Sequence, residues 1–309
     1  MQIALTGATG FIGKRLCVIL AQHNHRVRAL ARNHEAAARS LDPRTEILCG
    51  NLDSPKALRS LVRGCDAVIH LAGAVRGTNR QDFDAVNVAG TAQLLTAMDA
   101  VAPHIPLLFF SSLAAREPGL SHYARSKHLA EELLRANTRA RPCLILRPPA
   151  VYGPGDREML PVFRFMAKTG LAPAAGSAAA RLSLLFVDDL GTLVSAWLGA
   201  AGELTGTFPL HDGHAGGYCW SDIAAIVSAQ AGRVVRVWEI PRLPLDLLAR
   251  ANAGLARLLA YQPMLTPEKL RELRHPDWVC ANDDITAALG WKPRIELSDG
   301  LRLTPGWSD

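Results

Sequence analysis

Short apolar runs and amphipathic stretches alternate along the first 150 residues. Gln2–Thr6 is an apolar run, followed by a glycine-rich turn and then by an amphipathic stretch over Phe11–Gln22. In Arg26–Ala31, Val27, Ala29 and Ala31 fall on one face, the period of a strand. Glu46–Cys49, Ala67–Leu71, Leu107–Ser111 and Cys143–Leu146 read as further strands, and Pro55–Val62, Gln81–Ala100 and His122–Asn137 as helices. Short apolar strands in β-α order predict an α/β fold, a doubly wound parallel sheet covered by helices on both faces.

The texture changes at Arg147–Asp156, where the run RPPAVYGPGD is dense in Pro and Gly and reads as an ordered loop leaving the sheet. Residues 1–150 are therefore expected to form a dinucleotide-type domain and 151–309 mainly a smaller C-terminal substrate-binding domain. Residues 183–200 are expected to return to the first domain, Leu184–Val187 as a strand of the main sheet. All six tryptophans lie in the second half. Leu243–Met264 is rich in Leu and Ala, with Arg250 and Arg257 interspersed and Arg242 just before it. It reads as a helix over a substrate pocket or a dimer face in preference to an interfacial membrane helix. Asp188-Asp189 sits at a helix start and reads as N-terminal capping and interaction with the helix dipole. Thr266-Pro267-Glu268 has the same character, with Pro at the first helical position.

Composition narrows the classes. The 309 residues carry 34 Lys/Arg and 28 Asp/Glu, a formal charge of +6. Residues 1–150 hold 19 basic and 11 acidic side chains (+8), and residues 151–309 hold 15 and 17 (−2). The basic residues of the first half are scattered and lack interleaved aromatics, which argues against nucleic acid. Six cysteines show no C-x-x-C pair and read as reduced core thiols; the histidines and carboxylates show no metal-ligand spacing. No apolar run reaches the roughly 20 residues of a bilayer span. A soluble, cytoplasmic protein is expected.

The turn after the first strand is Thr6-Gly7-Ala8-Thr9-Gly10-Phe11-Ile12-Gly13, a G-x-x-G-x-x-G spacing between strand and helix. Such glycines permit a tight turn and close approach of backbone N–H groups to a pyrophosphate at a helix N-terminus, as in Rossmann-type folds. Gly7, Thr9, Gly10, Phe11, Ile12 and Gly13 are the candidate contacts. The second strand ends Ala31-Arg32-Asn33, without the carboxylate that would bond a ribose 2′-hydroxyl. Arg32 instead suits a 2′-phosphate, so NADP(H) is favoured, with NAD(H) as the alternative.

Tyr123-Ala124-Arg125-Ser126-Lys127 forms Y-x-x-x-K, which a helix places on one face. A nearby ammonium would lower the phenol from its ordinary pKa of about 10 and make Tyr123 an acid/base. The preceding strand ends Phe109-Phe110-Ser111-Ser112, and Ser112 is placed to hydrogen-bond a substrate oxygen.

With TGATGFIG (6–13), HLAGAV (70–75), NVAGTAQLL (87–95), FFSS (109–112), YARSK (123–127), LRPPAVYGPGD (146–156) and FVDDL (186–190), the first 190 or so residues resemble the extended short-chain dehydrogenases/reductases, the NAD-dependent epimerase/dehydratase family. The resemblance implies that Tyr123 is the acid/base, that Lys127 tunes it and holds the nicotinamide ribose, and that Ser112 polarises the substrate carbonyl, with Ser111 as fallback. It places Asn51 and Leu52 at adenine, Leu71, Ala72 and Gly73 along the cofactor, and Pro148 and Val151 near the nicotinamide. Asn87 reads as a structural hydrogen-bonder. The resemblance also suggests a homodimer through a helix pair.

Departures from the pattern sharpen the reading. Leu113-Ala114 follows Ser112 where 4,6-dehydratases carry Asp-Glu, and Arg181 is offset from the epimerase arginine. The pattern is nearest to ketone-reducing members such as dihydroflavonol reductases and 3β-hydroxysteroid dehydrogenases. The expected function is an NADP(H)-dependent oxidoreductase of a secondary alcohol/ketone. A nucleotide-sugar epimerase and a non-catalytic NADP(H)-binding regulator or assembly factor are the alternatives. The tryptophans of the near-neutral second half favour an apolar or aromatic small-molecule substrate.

Overall fold

The computed structural model describes residues 1–137, 141–259, 261–263 and 265–308. The strands β1 (Gln2–Thr6), β2 (Arg26–Ala31), β3 (Glu46–Cys49), β4 (Ala67–His70), β5 (Leu107–Phe110) and β6 (Cys143–Arg147) are joined by Gly206–Pro209 in one seven-stranded parallel sheet. Its order is 206–209, β6, β5, β4, β1, β2, β3. The order reverses between β1 and β4, and ligands of such sheets bind in the crevice at the carboxyl ends of those strands.

Alternation along the strands builds two cores. Ile3 and Leu5 of β1, with Leu108 and Phe110 of β5, face helix α1 (Phe11–Gln22) and the helix Val187–Gly199. Ala4, Leu107 and Phe109 face the opposite layer of Leu58, Leu61, Leu94, Met98 and Leu134. A third core gathers Tyr152, Phe163, Met166, Phe186, Tyr218, Val227 and Leu297. Three two-stranded parallel pairs accompany it: 171–174 with 236–239, 181–182 with 277–278, and 150–152 with 184–186.

Several sequence expectations need correction. Leu184–Phe186 does not enter the main sheet; it pairs with Ala150–Tyr152. The strand that does return is Gly206–Pro209, whose carriage to β6 follows the helix Val187–Gly199 packed on α1. The expected helix Gln81–Ala100 is three pieces, Arg80–Asp84, a π-helical turn Ala85–Ala89, and Gly90–Val101. The wider turn carries the buried Asn87, and such turns recur at functional sites. Asp188 and Asp189 stand in the first turn of their helix, where the dipole favours them, but neither caps it with a side-chain bond. Asp188 forms a two-point ion pair with Arg15 of α1, and buried Asp189 accepts from the N–H groups of Arg294 and Ile295 at 3.1 and 3.0 Å. Thr266 does cap, accepting from the Lys269 N–H at 3.1 Å. The long C-terminal helix runs Arg242–Leu259, and Met264, the expected end, lies outside the described residues.

Trp197 and Trp291 complete the first core and Trp307 the third. They serve packing, so they carry no argument for an aromatic-lined pocket. Cys17, Cys65 and Cys143 are buried thiols, whereas Cys49 is exposed. No helix among the described residues is long and apolar enough to cross a membrane. No group of three His, Cys, Asp or Glu among them could hold a metal ion.

Candidate active site

The sheet reversal brings two loops into contact. Gly7 takes φ +74°, and a Cβ there would stand 2.5 Å from the Ala72 backbone N. A Cβ at Gly13 would stand 2.3 Å from the Gly7 carbonyl. The turn therefore has no room for side chains at Gly7 and Gly13, and its backbone lies bare at the start of α1. Gly10 caps that helix without a side chain, and among the described residues no side-chain bond engages the first-turn N–H groups of Phe11, Ile12 and Gly13. A crowded backbone cradle with free N–H groups fits a pyrophosphate. Thr9 is exposed on the turn and Ile12 packs on the first core. The loop at Gly155 comes over Phe11, to which a Cβ would pass within 3.9 Å.

Beneath the turn runs a buried polar chain. Thr91 donates to the Asn87 carbonyl at 2.7 Å and lies 3.0 Å from His70 Nε2. Thr6 lies 2.6 Å from His70 Nδ1 and accepts from the Ala72 N–H. The one arrangement that satisfies all four contacts has Nε2–H donating to Thr91 and Thr6 donating to Nδ1. Burial, assisted by the Lys127 charge, pushes His70 down to about 3, so the ring is neutral. The chain ties the glycine turn to Asn87, which accepts from the Ala74 N–H at 2.8 Å and donates to the Ser126 hydroxyl at 2.8 Å.

Tyr123 and Lys127 lie on the helix His122–Ala136, capped by Ser121. Ser112 follows β5 and accepts from the Ala114 N–H at 3.2 Å, and its hydroxyl acts on the Tyr123 phenol. Burial raises the Tyr123 phenol to about 12; the Ser112 hydroxyl opposes this and the charges of Glu272 and Glu158 add to it. The expected lowering by Lys127 is therefore not what the geometry gives. Buried Lys127 directs Nζ to the Phe110 carbonyl at 2.9 Å and lies 5.0 Å from the Phe109 ring centroid. Burial brings its own pKa down to about 8, against the pull of Glu131. A Cβ at Gly73 would come within 3.0 Å of that Nζ, so the HLAGAV loop and the lysine share one wall.

The two serines divide their duties. Ser111 donates to Glu131 Oε1 at 2.5 Å. Glu131 is fully buried and also receives Arg147 at 2.8 and 2.5 Å and Arg135 at 2.7 Å. Ser111 is thus engaged by Glu131, whereas Ser112 is not. Glu131 lies four residues beyond Lys127 on the same helix, and Arg147 opens the loop motif; that spacing was the available signal for the pair. Pro148 joins the site through its carbonyl, which accepts from the Leu113 N–H at 2.8 Å. Val151 pairs with Leu185 and packs on the first core. Asn51 caps its own loop by accepting from the Asp53 N–H, and Leu52 packs against Gly90, where a Cβ would come within 2.5 Å. Arg32 is exposed at the end of β2, with no acidic partner among the described residues.

The C-terminal part closes the other side. The helix Pro267–Leu273 is bonded to the start of the Tyr123 helix. Glu268 accepts from the His122 N–H at 3.1 Å, Glu272 from the Ser121 hydroxyl, and Arg271 donates to the Leu120 carbonyl at 2.8 Å. Arg116 donates to the Val279 and Asp277 carbonyls and lies over Trp278. These contacts hold the loop between Ser112 and Tyr123 against residues 267–280. Sequence inspection missed them because each pairs residues more than 140 positions apart.

Comparison with known proteins gives the following. The family model described as the NAD dependent epimerase/dehydratase family matches residues 3–206. The chain is 34% identical to a ceramide reductase of Caulobacter vibrioides, covering 99% of this chain and 93% of that protein. It is 24% identical to a decarboxylating sterol-4-alpha-carboxylate 3-dehydrogenase of Candida albicans, covering 99% and 97%. Among solved structures, UDP-glucuronic acid 4-epimerase from Bacillus cereus, in complex with UDP-glucuronic acid and NAD, superposes with a TM-score of 0.74 at 21% identity, over 100% of this chain and 99% of the other. At that identity the likeness concerns the fold.

Proposed function

The chain belongs to the NAD dependent epimerase/dehydratase family, and from that premise we propose an NADP(H)-dependent reductase of a secondary alcohol/ketone pair whose carbonyl sits between alkyl groups. One observation carries the reading: Tyr123 stands one turn before buried Lys127 on the same helix, and Lys127 Nζ is bonded to the Phe110 carbonyl, two residues before Ser112 at the carboxyl edge of the sheet. The bound dinucleotide supplies hydride. Gly7, Thr9, Gly10, Phe11, Ile12 and Gly13 would hold its pyrophosphate, and Asn51 and Leu52 its adenine. Leu71, Ala72, Gly73, Pro148 and Val151 would line the nicotinamide side, and Lys127 would hold the ribose. Ser112 orients the substrate oxygen, and Tyr123 gives it a proton. A phenol held near 12 is protonated at neutral pH, as a proton donor for ketone reduction must be.

The substrate class follows from the relatives named for ceramide and a sterol carboxylate, both lipids. The epimerase alternative is disfavoured at Arg181. Its guanidinium is committed to the Gly216 and Gly217 carbonyls at 2.5 and 2.7 Å, leaving it poorly placed for a sugar diphosphate. A non-catalytic role is disfavoured by the intact Ser112, Tyr123 and Lys127.

Two expectations test the parts. Arg32→Ala should raise the NADPH dissociation constant by about tenfold or more and leave that of NADH nearly unchanged; equal affinities in the wild type would remove the 2′-phosphate role. Lys127, at about 8, loses its proton before Tyr123, at about 12. The kcat/KM for ketone reduction should therefore fall as pH rises through about 8, and Lys127→Arg should carry that limb upward. An unmoved limb would assign it to another group.

A further inference from the structure

We propose that the helix Arg242–Leu259 docks the protein on an anionic lipid surface with its leucine face inward, next to the helix Pro267–Leu273 that bonds the residues before Tyr123. The idea that a lipid substrate enters there rests on the reductase reading; the docking itself does not. Leu243, Leu247, Leu248, Leu255 and Leu259 are between 48% and 77% exposed. Ala249 and Ala256, on the opposite side, are fully buried and attach the helix to the body. Single exposed leucines are ordinary on a monomer, but five along one side of one helix form a patch.

The flanks select the partner. The helix carries three Arg and one Asp, and the single Asp246 is neutralised by Arg274 at 2.6 Å. Arg242 and Arg250 are exposed beside the leucines. Trp238, before the helix, and Tyr261, after it, are both exposed. Leucines on one face, arginines at its border and aromatics at the ends suit the boundary between acyl chains and anionic headgroups. A second copy of the chain would bring the same arginines against each other, whereas headgroup phosphates complement them. The helix is too charged to cross a bilayer and is suited to lie on one.

The location gives the surface a purpose. Asn252 donates to the Leu265 carbonyl at 2.8 Å, and Asp246 holds Arg274, so the helix is joined to both ends of Pro267–Leu273. That helix bonds Ser121 and His122 directly before Tyr123. The docking surface is thus linked, through Pro267–Leu273, to the start of the Tyr123 helix.

Vesicle flotation tests the proposal. The wild type should float with phosphatidylcholine vesicles containing about a quarter phosphatidylglycerol, and less with phosphatidylcholine alone or at high salt. Leu243→Ser/Leu247→Ser/Leu255→Ser should lose about tenfold or more of this binding. It should keep its NADPH affinity and its turnover of a water-soluble ketone, which shows that it is folded. Arg242→Glu/Arg250→Glu should lose only the anionic preference. The proposal is overturned if the wild type stays with the soluble fraction, if the serine variant floats as the wild type does, or if sedimentation shows a dimer that the serine variant splits. Flotation is read without turnover. A wild type that floats yet reduces no ketone with NADPH would overturn the reductase reading and support docking.

Discussion

Tyr123→Phe is expected to lose roughly 10²–10⁴-fold in ketone turnover while binding NADPH about as tightly as the wild type. The ring remains and only the hydroxyl goes, so its packing near Phe83, 6.2 Å between ring centroids, is retained. The proton donor disappears. The loss should fall on kcat, because a proton given to the forming alkoxide acts in the transition state and little in the ground state. Ser112→Ala should lose less, since Tyr123 still donates, and the double variant should lose less than the product of the two. Stopped-flow NADPH oxidation, with titration of NADPH binding by fluorescence, measures both quantities. Full turnover by Tyr123→Phe would sink the acid/base assignment, and a weakened NADPH affinity of equal size would make the tyrosine a binding residue.

The sheet was legible before any coordinates because its strands are short, apolar and separated by amphipathic stretches of the right length. Gly7 and Gly13 were legible for a related reason: no other residue fits a turn whose missing Cβ atoms would strike the backbone. Tyr123 and Lys127 share a helix face by spacing alone. What they do to each other was not legible. The expected effect of Lys127 on the phenol failed because the Phe110 carbonyl holds the ammonium and burial dominates both groups. Leu184–Phe186 was misplaced because an apolar triplet states that a strand is buried, not which strand it joins. Asp188 and Asp189 look like caps in sequence, yet their partners are Arg15 and the backbone at 294–295, more than 100 residues away. Local chemistry could be read from the chain; tertiary partners could not.

Glu131 belongs to that second kind, and its removal has the largest stability effect to be expected of any single change here. Glu131→Gln should cost roughly 3–5 kcal/mol of folding stability, on the order of 10 °C in Tm. The carboxylate is fully buried and receives Ser111, Arg147 and Arg135. Arg147 is 19% exposed and accounts for most of the effect; Arg135, 43% exposed, is screened by solvent and accounts for little. The pH dependence carries a sign. Burial alone would raise the Glu131 pKa, but the bonds from Arg147 and Ser111 and the charges of Arg147 and Arg135 prevail and hold it below 4.5. Its stabilisation is therefore complete above pH about 4.5 and is lost as pH falls through the depressed folded value. Urea unfolding from neutral to acid pH should show this fading in the wild type and not in Glu131→Gln. Equal stability at neutral pH would mean that Arg147 finds another acceptor. A Glu131→Leu/Arg147→Met variant separates the two terms: if the penalty is the stranded guanidinium, removing both charges restores much of the loss. If Glu131 instead acts by fixing Ser111 and the end of β5, stability returns in the double variant while turnover at Ser112 and Tyr123 does not.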